Sequence, residues 1–314
     1  MKKKIKFNKY FAISVVFLFI IIAVSFFQFY FETFSYASDY YKIYSYCYKK
    51  ENVSHEYCKP FKDEKQLKNY IVNLDPKKKF ESLDTFTVTC SIIENTFFSI
   101  LQYFSPIIIA IAVVGVFQSF LSSGMLENYL LRNDYKKVLK SMYKKVFKVA
   151  LIVPISLVLI FLISMITTRF NFDYSNIDTA LSVFRQWKYD NFFLYGFGVV
   201  LIQFFMSLFY VNISLYFCRE NKNKLVAIIV SFLTFIVIDL FIYIIIYGVL
   251  LNNILRLDIA SDYFNIAGYW FYLEGKIFIP LIVSIILAIV SFAFLIIRYK
   301  NKEQVVNAYE KQIS

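Results

Sequence analysis

Histidine is nearly missing from this 314-residue chain: His55 stands alone. That scarcity excludes the HExxH type of zinc hydrolase, which needs two histidines on one helix face. A phosphate-cradling GxxxxGK[ST] loop is missing too. The closest approach, Gly268 with Gly275-Lys276, has six intervening residues where that loop has four, and Ile277 follows where Ser or Thr is required. Any ATP hydrolysis linked to this chain is therefore expected of another polypeptide. There is no GxSxG elbow, and no long apolar segment carries paired carboxylates. Together these gaps predict a protein that is not an enzyme and holds no cofactor or metal of its own.

Cysteine is sparse and says little. Cys218 ends an apolar segment, where a buried thiol is the default. Cys47, Cys58 and Cys90 share one polar segment; one disulfide, with Cys47–Cys58 the nearest pair, and three thiols are both open readings.

Charge is what the longest stretches lack. Residues 10–31, 95–126, 149–168, 191–218 and 277–297 carry none, and 225–255 is broken only by Asp239. A span of the hydrocarbon core takes roughly 20 apolar residues, and only helices satisfy their own backbone in lipid over such runs. Six transmembrane helices are expected, in an all-α integral membrane protein. The alternating short segments of a membrane β-barrel are not seen. The first apolar block is preceded by five lysines, as in a signal peptide. Yet it runs 22 residues against roughly 7–15 for a signal core, with no small-x-small site after it. It reads as a retained helix.

The formal charge of +12 looks like a nucleic-acid signal until it is laid on this plan. Segments 1–9, 123–148, 219–224 and 298–314 hold 19 basic residues against 5 acidic, whereas 32–94, 169–190 and 256–276 hold 15 against 16. Lysine and arginine near helix ends set orientation, which predicts both termini in the cytoplasm. No nucleic-acid partner is needed. The expected organisation is a cytoplasmic N-terminus with the first span (1–31), an external loop domain (32–94), a core of five further spans (95–297) and a cytoplasmic tail (298–314). The spans are expected at Tyr10–Phe31, within 96–122 around Pro106, and at Val149–Thr167, Phe192–Cys218, Leu225–Leu250 and Ile277–Ile297. In the external loop, Leu67, Tyr70, Ile71 and Leu74 fall at helical spacing and predict a small folded cap.

The loop 123–148 is the most informative stretch. From Tyr135 the apolar residues Tyr135, Val138, Leu139, Met142, Tyr143, Val146 and Phe147 line one helix face, and Lys136, Lys137, Lys140, Lys144, Lys145 and Lys148 take the other. Asn133 or Asp134 suits the N-cap. Within it, Tyr135-Lys-Lys-Val138 recurs as Tyr143-Lys-Lys-Val146. Such a helix is expected to lie on an anionic membrane surface, its lysines toward lipid headgroups. Before it, Met125–Arg132 reads as a separate short helix whose Glu127, Asn128 and Arg132 suit a cytosolic partner. A plain positive-inside anchor is the competing reading. Asp239, the one charge inside a span, should face the bundle with a partner such as Gln203, Asn212 or Gln118. Lining a substrate path and a hydrogen-bonding clasp are both open for it.

This six-helix plan resembles the permease subunits of ABC-2 type ABC transporters, the exporter class. The likeness rests on a long external loop after helix one, a basic helical loop after helix two, and an apolar-aromatic loop, 251–276, between helices five and six. The run Glu127-Asn-Tyr-Leu-Leu-Arg132 with Tyr135-Lys-Lys-Val-Leu-Lys-Ser-Met142 is similar to the coupling-helix segment of such permeases in Gram-positive bacteria. The resemblance implies that Glu127, Tyr129, Leu130, Arg132 and Tyr135 dock on a cytoplasmic P-loop ATPase subunit, which binds the ATP. It also implies a second permease copy or paralogue, and a place in the bacterial cell membrane. In 251–276 it implies short re-entrant helices, for which Ile254, Leu257, Ile259, Ile266, Trp270 and Phe271 are suited and Arg256, Asp258 and Asp262 are not. Two rivals stand beside it. One is a stand-alone transporter or channel, although the paired interrupted helices of inverted repeats are not seen. The other is a membrane sensor or immunity protein that binds a peptide through 32–94.

Overall fold

The computed structural model describes residues 9–49, 83–93, 95–122, 134–172, 192–219, 221, 223–257, 259, 261, 264–266 and 277–306. Among the described residues all regular structure is helical. The helices are α1 (Lys9–Lys49), α2 (Thr85–Ile93), α3 (Thr96–Ser122), α4 (Tyr135–Phe147), α5 (Ile152–Thr167), α6 (Phe192–Cys218), α7 (Lys224–Phe241) and α8 (Phe278–Tyr299). A 3₁₀ turn, Lys148–Leu151, joins α4 to α5, and a π-helical segment, Ile242–Ile254, continues α7. Five helical runs are long and apolar enough to cross a membrane: Lys9–Tyr36, Tyr135–Thr167, Phe192–Cys218, Lys224–Ile254 and Phe278–Tyr299. The protein is thus a multi-pass membrane protein. The apolar stretch Tyr103–Gln118 of α3 is shorter.

Several boundaries differ from expectation. The first helix does not stop at Phe31 but runs to Lys49, because residues 32–49 contain neither Gly nor Pro to end it. Its 41 residues reach about 60 Å, twice the hydrocarbon thickness. The helix at 135 is not separate from the third expected span but feeds into it through the 3₁₀ turn. Pro106 lies inside α3, and the helix continues through it.

The chain divides into two compact units. One comprises Ile22–Phe98 and Leu159–Val183. Here Asp84 caps α2, its carboxylate accepting from the Thr87 backbone N–H at 2.8 Å and the Thr87 hydroxyl at 2.6 Å. Thr85 ties that cap to the turn after α5. Its N–H and hydroxyl both reach the Asn171 carbonyl at 2.8 Å, and its hydroxyl meets that of Thr168. Asn171 in turn donates to the Leu83 carbonyl at 3.1 Å. These bonds hold Arg169 and Phe170 at φ 54° and 61°, a left-handed conformation that side chains other than glycine adopt at a cost.

The other unit comprises Met1–Ile21, Ser99–Val158 and Phe184–Ser314. Its centre is α6, packed most extensively against α8, then against α7. The packing is inverted relative to a water-soluble bundle. On α8 the small residues Ser284 and Ala288 are buried while Ile282, Ile286, Ile289, Phe294 and Ile297 are exposed. On α7, Ala227 and Ser231 are buried while Ile229, Leu233 and Val237 are exposed. Water would penalise so large an apolar surface. Lipid does not, and small inward residues let helix backbones approach closely.

Candidate functional site

Helix α4 is tied by hydrogen bonds to the two helices that pack most extensively in this unit, α6 and α8. Much of its apolar face packs on protein, where the periodicity alone suggested lipid. Val138, Met142 and Val146 are buried within the protein, the Tyr143 ring packs tilted against Phe292 of α8 at 5.2 Å, and the Phe147 ring meets Phe204 of α6 edge-on at 5.8 Å. The reason is that α4 continues directly into a span, so its apolar face meets the neighbouring spans before it meets lipid.

Two hydroxyls pin it there. Tyr135 donates to the Tyr299 carbonyl of α8 at 2.7 Å. Tyr143 donates to Asn212 Oδ1 of α6 at 3.0 Å. Asn212 passes the connection on, its amide donating to Ser291 Oγ at 3.0 Å and the Ala288 carbonyl at 3.3 Å, both on α8. Tyr299 closes the ring by donating to the Leu215 carbonyl of α6 at 2.8 Å, and its ring meets Phe117 of α3 edge-on. Next to it the buried Arg219 donates to the Arg298 carbonyl and to Gln304 Oε1. Burial first, and the nearby Arg298 second, push the Arg219 guanidinium below its ordinary pKa. A guanidinium starts so far above neutrality that it stays charged as a donor.

Of the residues singled out from the sequence, Tyr135 sits in the first turn of α4 in the role just described. Glu127, Tyr129, Leu130 and Arg132 lie outside the described residues, as do Trp270, Phe271, Cys58 and the expected cap around Leu67. Ile266 is fully buried, whereas Ile254 and Leu257 are exposed. Cys218 is buried, and Cys90 sits half-buried on α2. Asp239 is half-buried on α7. Phe235, one turn earlier, meets Tyr210 edge-on at 4.9 Å between ring centroids. Two of the partners suggested for Asp239 are engaged elsewhere: Asn212 as above, and Gln118, whose amide donates to the Asn221 carbonyl at 2.8 Å. Three residues beyond Asp239 the chain changes to the π-helix, a geometry that recurs at functional sites. Among the described residues, no cluster of His, Cys, Asp and Glu is placed to hold a metal ion.

Sequence reasoning missed the polar junction of Asn212, Ser291 and Tyr299. Asn212 and Ser291 are isolated within apolar runs, Tyr299 lies between Arg298 and Lys300, and the three follow no motif. The doubled Tyr-Lys-Lys-Val was the available signal, since both of its tyrosines prove to be hydrogen-bond donors. No family model matches the chain, and neither a curated protein nor a solved structure shows significant similarity to it.

Proposed function

We propose that this chain is the membrane-spanning permease subunit of a bacterial ABC exporter of the ABC-2 type. In this reading six spans, with α3 as the sixth, carry both termini on the cytoplasmic side, and residues 32–94 face outward. The loop 123–148 docks on a separate P-loop ATPase through Glu127, Tyr129, Leu130, Arg132 and Tyr135. Two permease copies, or this chain and a paralogue, enclose the substrate path, and closure of the ATPase pair drives the substrate outward.

The observation that supports it is mechanical. A loop that receives a push from a partner transmits it only if it is stiffly joined to the spans. Here α4 is continuous with α5 and is hydrogen-bonded to both α6 and α8. Displacing α4 therefore displaces three spans together. A positive-inside anchor has no need of such bonds, because summed charge and apolar area suffice for anchoring. The test is affinity purification of the tagged full chain from its native membrane. A stoichiometric P-loop ATPase in the eluate is expected. Its absence under mild detergent favours the stand-alone transporter or the sensor instead.

A further inference from the structure

Between α4 and α8 lies a cavity of about 720 Å³, within the range of sites that take a small organic ligand. Its walls are apolar, with Leu139 and Met142 of α4 facing Phe292 and Leu295 of α8. The charged groups at its edge are all lysines: Lys136, Lys140 and Lys144 stand in a row four residues apart on α4, and Lys300 follows α8. The hydroxyls of the lining Tyr135, Tyr143 and Tyr299 donate to protein acceptors. No carboxylate lines the cavity. Among the described residues the ion pairs are Lys42–Asp39 and Lys137–Asp134, so none of the four edge lysines is paired. The row spans about 12 Å of helix rise.

We propose that this groove holds an anionic phospholipid, its acyl chain in the apolar cavity and its phosphate on the row Lys136, Lys140 and Lys144. Three features select that occupant. The groove runs beside the last turns of α8, where Ile296 and Ile297 are exposed, so the medium in contact with it is lipid. An apolar slot with cations on one edge matches an amphiphile whose head is negative, and basic pockets between spans are the recognised form of acidic-headgroup sites. Lysine stems lie along apolar surface while their ammonium groups reach outward, which sets the charges at headgroup level above the chain. The inference needs the protein to be membrane-embedded and does not depend on its being an exporter subunit.

Thermal unfolding of the full chain in a neutral detergent tests it, with dioctanoyl-phosphatidylglycerol, dioctanoyl-phosphatidylcholine or inorganic phosphate added. Phosphatidylglycerol should raise the unfolding midpoint at a concentration at least fivefold lower than phosphatidylcholine, and phosphate alone should leave it unmoved. Replacing Lys136, Lys140 and Lys144 together by Gln should abolish the preference for phosphatidylglycerol. Leu139→Trp, which fills the cavity and keeps the lysines, should weaken both lipids at least fivefold. If the triple variant does not fold, the single exposed Lys140→Gln should still lower the preference twofold or more. Equal response to the two lipids, an unchanged response in the Lys variants, or an unchanged response in Leu139→Trp overturns the proposal. An equal shift from phosphate alone overturns it in favour of a soluble-anion site.

Discussion

Tyr135 and Tyr143, eight residues apart on one helix, donate their hydroxyl protons to two different spans: Tyr135 to the Tyr299 carbonyl and Tyr143 to Asn212 Oδ1. Eight residues are a little over two helical turns, so both phenols project from nearly the same side. The lysine pairs that follow each tyrosine are exposed.

The Tyr143–Asn212 bond should be measurable as a coupling energy. Tyr143→Phe removes the donor and leaves Asn212 Oδ1 short of a partner, which costs roughly 1–3 kcal/mol when the group is buried. Asn212→Leu also removes the bonds to Ser291 and Ala288, so alone it should cost more. A double-mutant cycle, read by reversible unfolding in detergent micelles, should give about 0.6 kcal/mol or more of coupling, the usual size of such bonds in membrane proteins. Strict additivity of the two substitutions would show that the bond does not hold α4 in place.

Much of this fold is legible from charge-free runs alone, because lipid leaves a helix as the only way to satisfy 20 consecutive apolar residues. The spans at Phe192–Cys218 and Phe278–Tyr299 fall within a residue or two of where the charges stop. Ends are legible only where something chemical enforces them. Lys49 lies 18 residues beyond the last apolar run of α1, since a polar segment without Gly or Pro prolongs a helix as readily as an apolar one. Shortness hid α2: Asp84 with Thr87 is a capping pair, but the nine uncharged residues it opens are too few to stand out as a span. The periodicity of α4 gave its buried face correctly and left its protein neighbours unnamed. A 3.6-residue period shows that a face seeks apolar company; it does not distinguish lipid from α6 and α8.

Gly115 marks a close approach between α1 and α3. A Cβ there would fall inside the Tyr10 side chain, 2.6 Å from its Cδ2. Tyr10 has little room to retreat, because the Lys224 ammonium lies 5.0 Å from its ring centroid and 3.4 Å from its hydroxyl. One turn away Ser14 donates to the Ile108 carbonyl at 3.0 Å, fixing the same pair of helices. Gly115→Val should therefore destabilise by about 1–3 kcal/mol, the range for overpacking. Gly196→Val, where a Cβ meets nothing within 4 Å, should be close to neutral. Thermal midpoints of the two variants in the same detergent make the comparison. Equal loss in both would place the cost in backbone propensity and not in the α1–α3 contact.

The proposed orientation follows from 19 basic against 5 acidic residues on one set of connecting segments. In a variant without its four native cysteines, Lys65→Cys or Lys68→Cys should react with a membrane-impermeant maleimide on intact cells. Lys137→Cys, exposed at the start of α4, should react only after the cells are opened. The reverse pattern would invert every assignment of inside and outside made here, and with it the expectation that 123–148 meets an ATPase.

Docking and anchoring place different demands on the loop before α4. An anchor works by summed charge and apolar area, so one substitution in 125–132 should matter little. A docking helix has to fit a groove, where truncating one buried aromatic or arginine can cost roughly 2 kcal/mol or more. Tyr129→Ala, Leu130→Ala and Arg132→Ala should each reduce the ATPase retained on the tagged chain by at least tenfold at limiting partner concentration. Lys140→Gln, exposed on α4, should retain it fully. Tyr135→Phe separates contact from transmission: it keeps the ring at the expected interface and removes only the bond to the Tyr299 carbonyl. Its retention should match the unsubstituted chain, whereas stimulation of ATP turnover by assembly with the permease should fall, since the push on α4 reaches α8 through one bond fewer. Retention that is unchanged in all three alanine variants would leave the loop as an anchor and remove the main support for an exporter subunit.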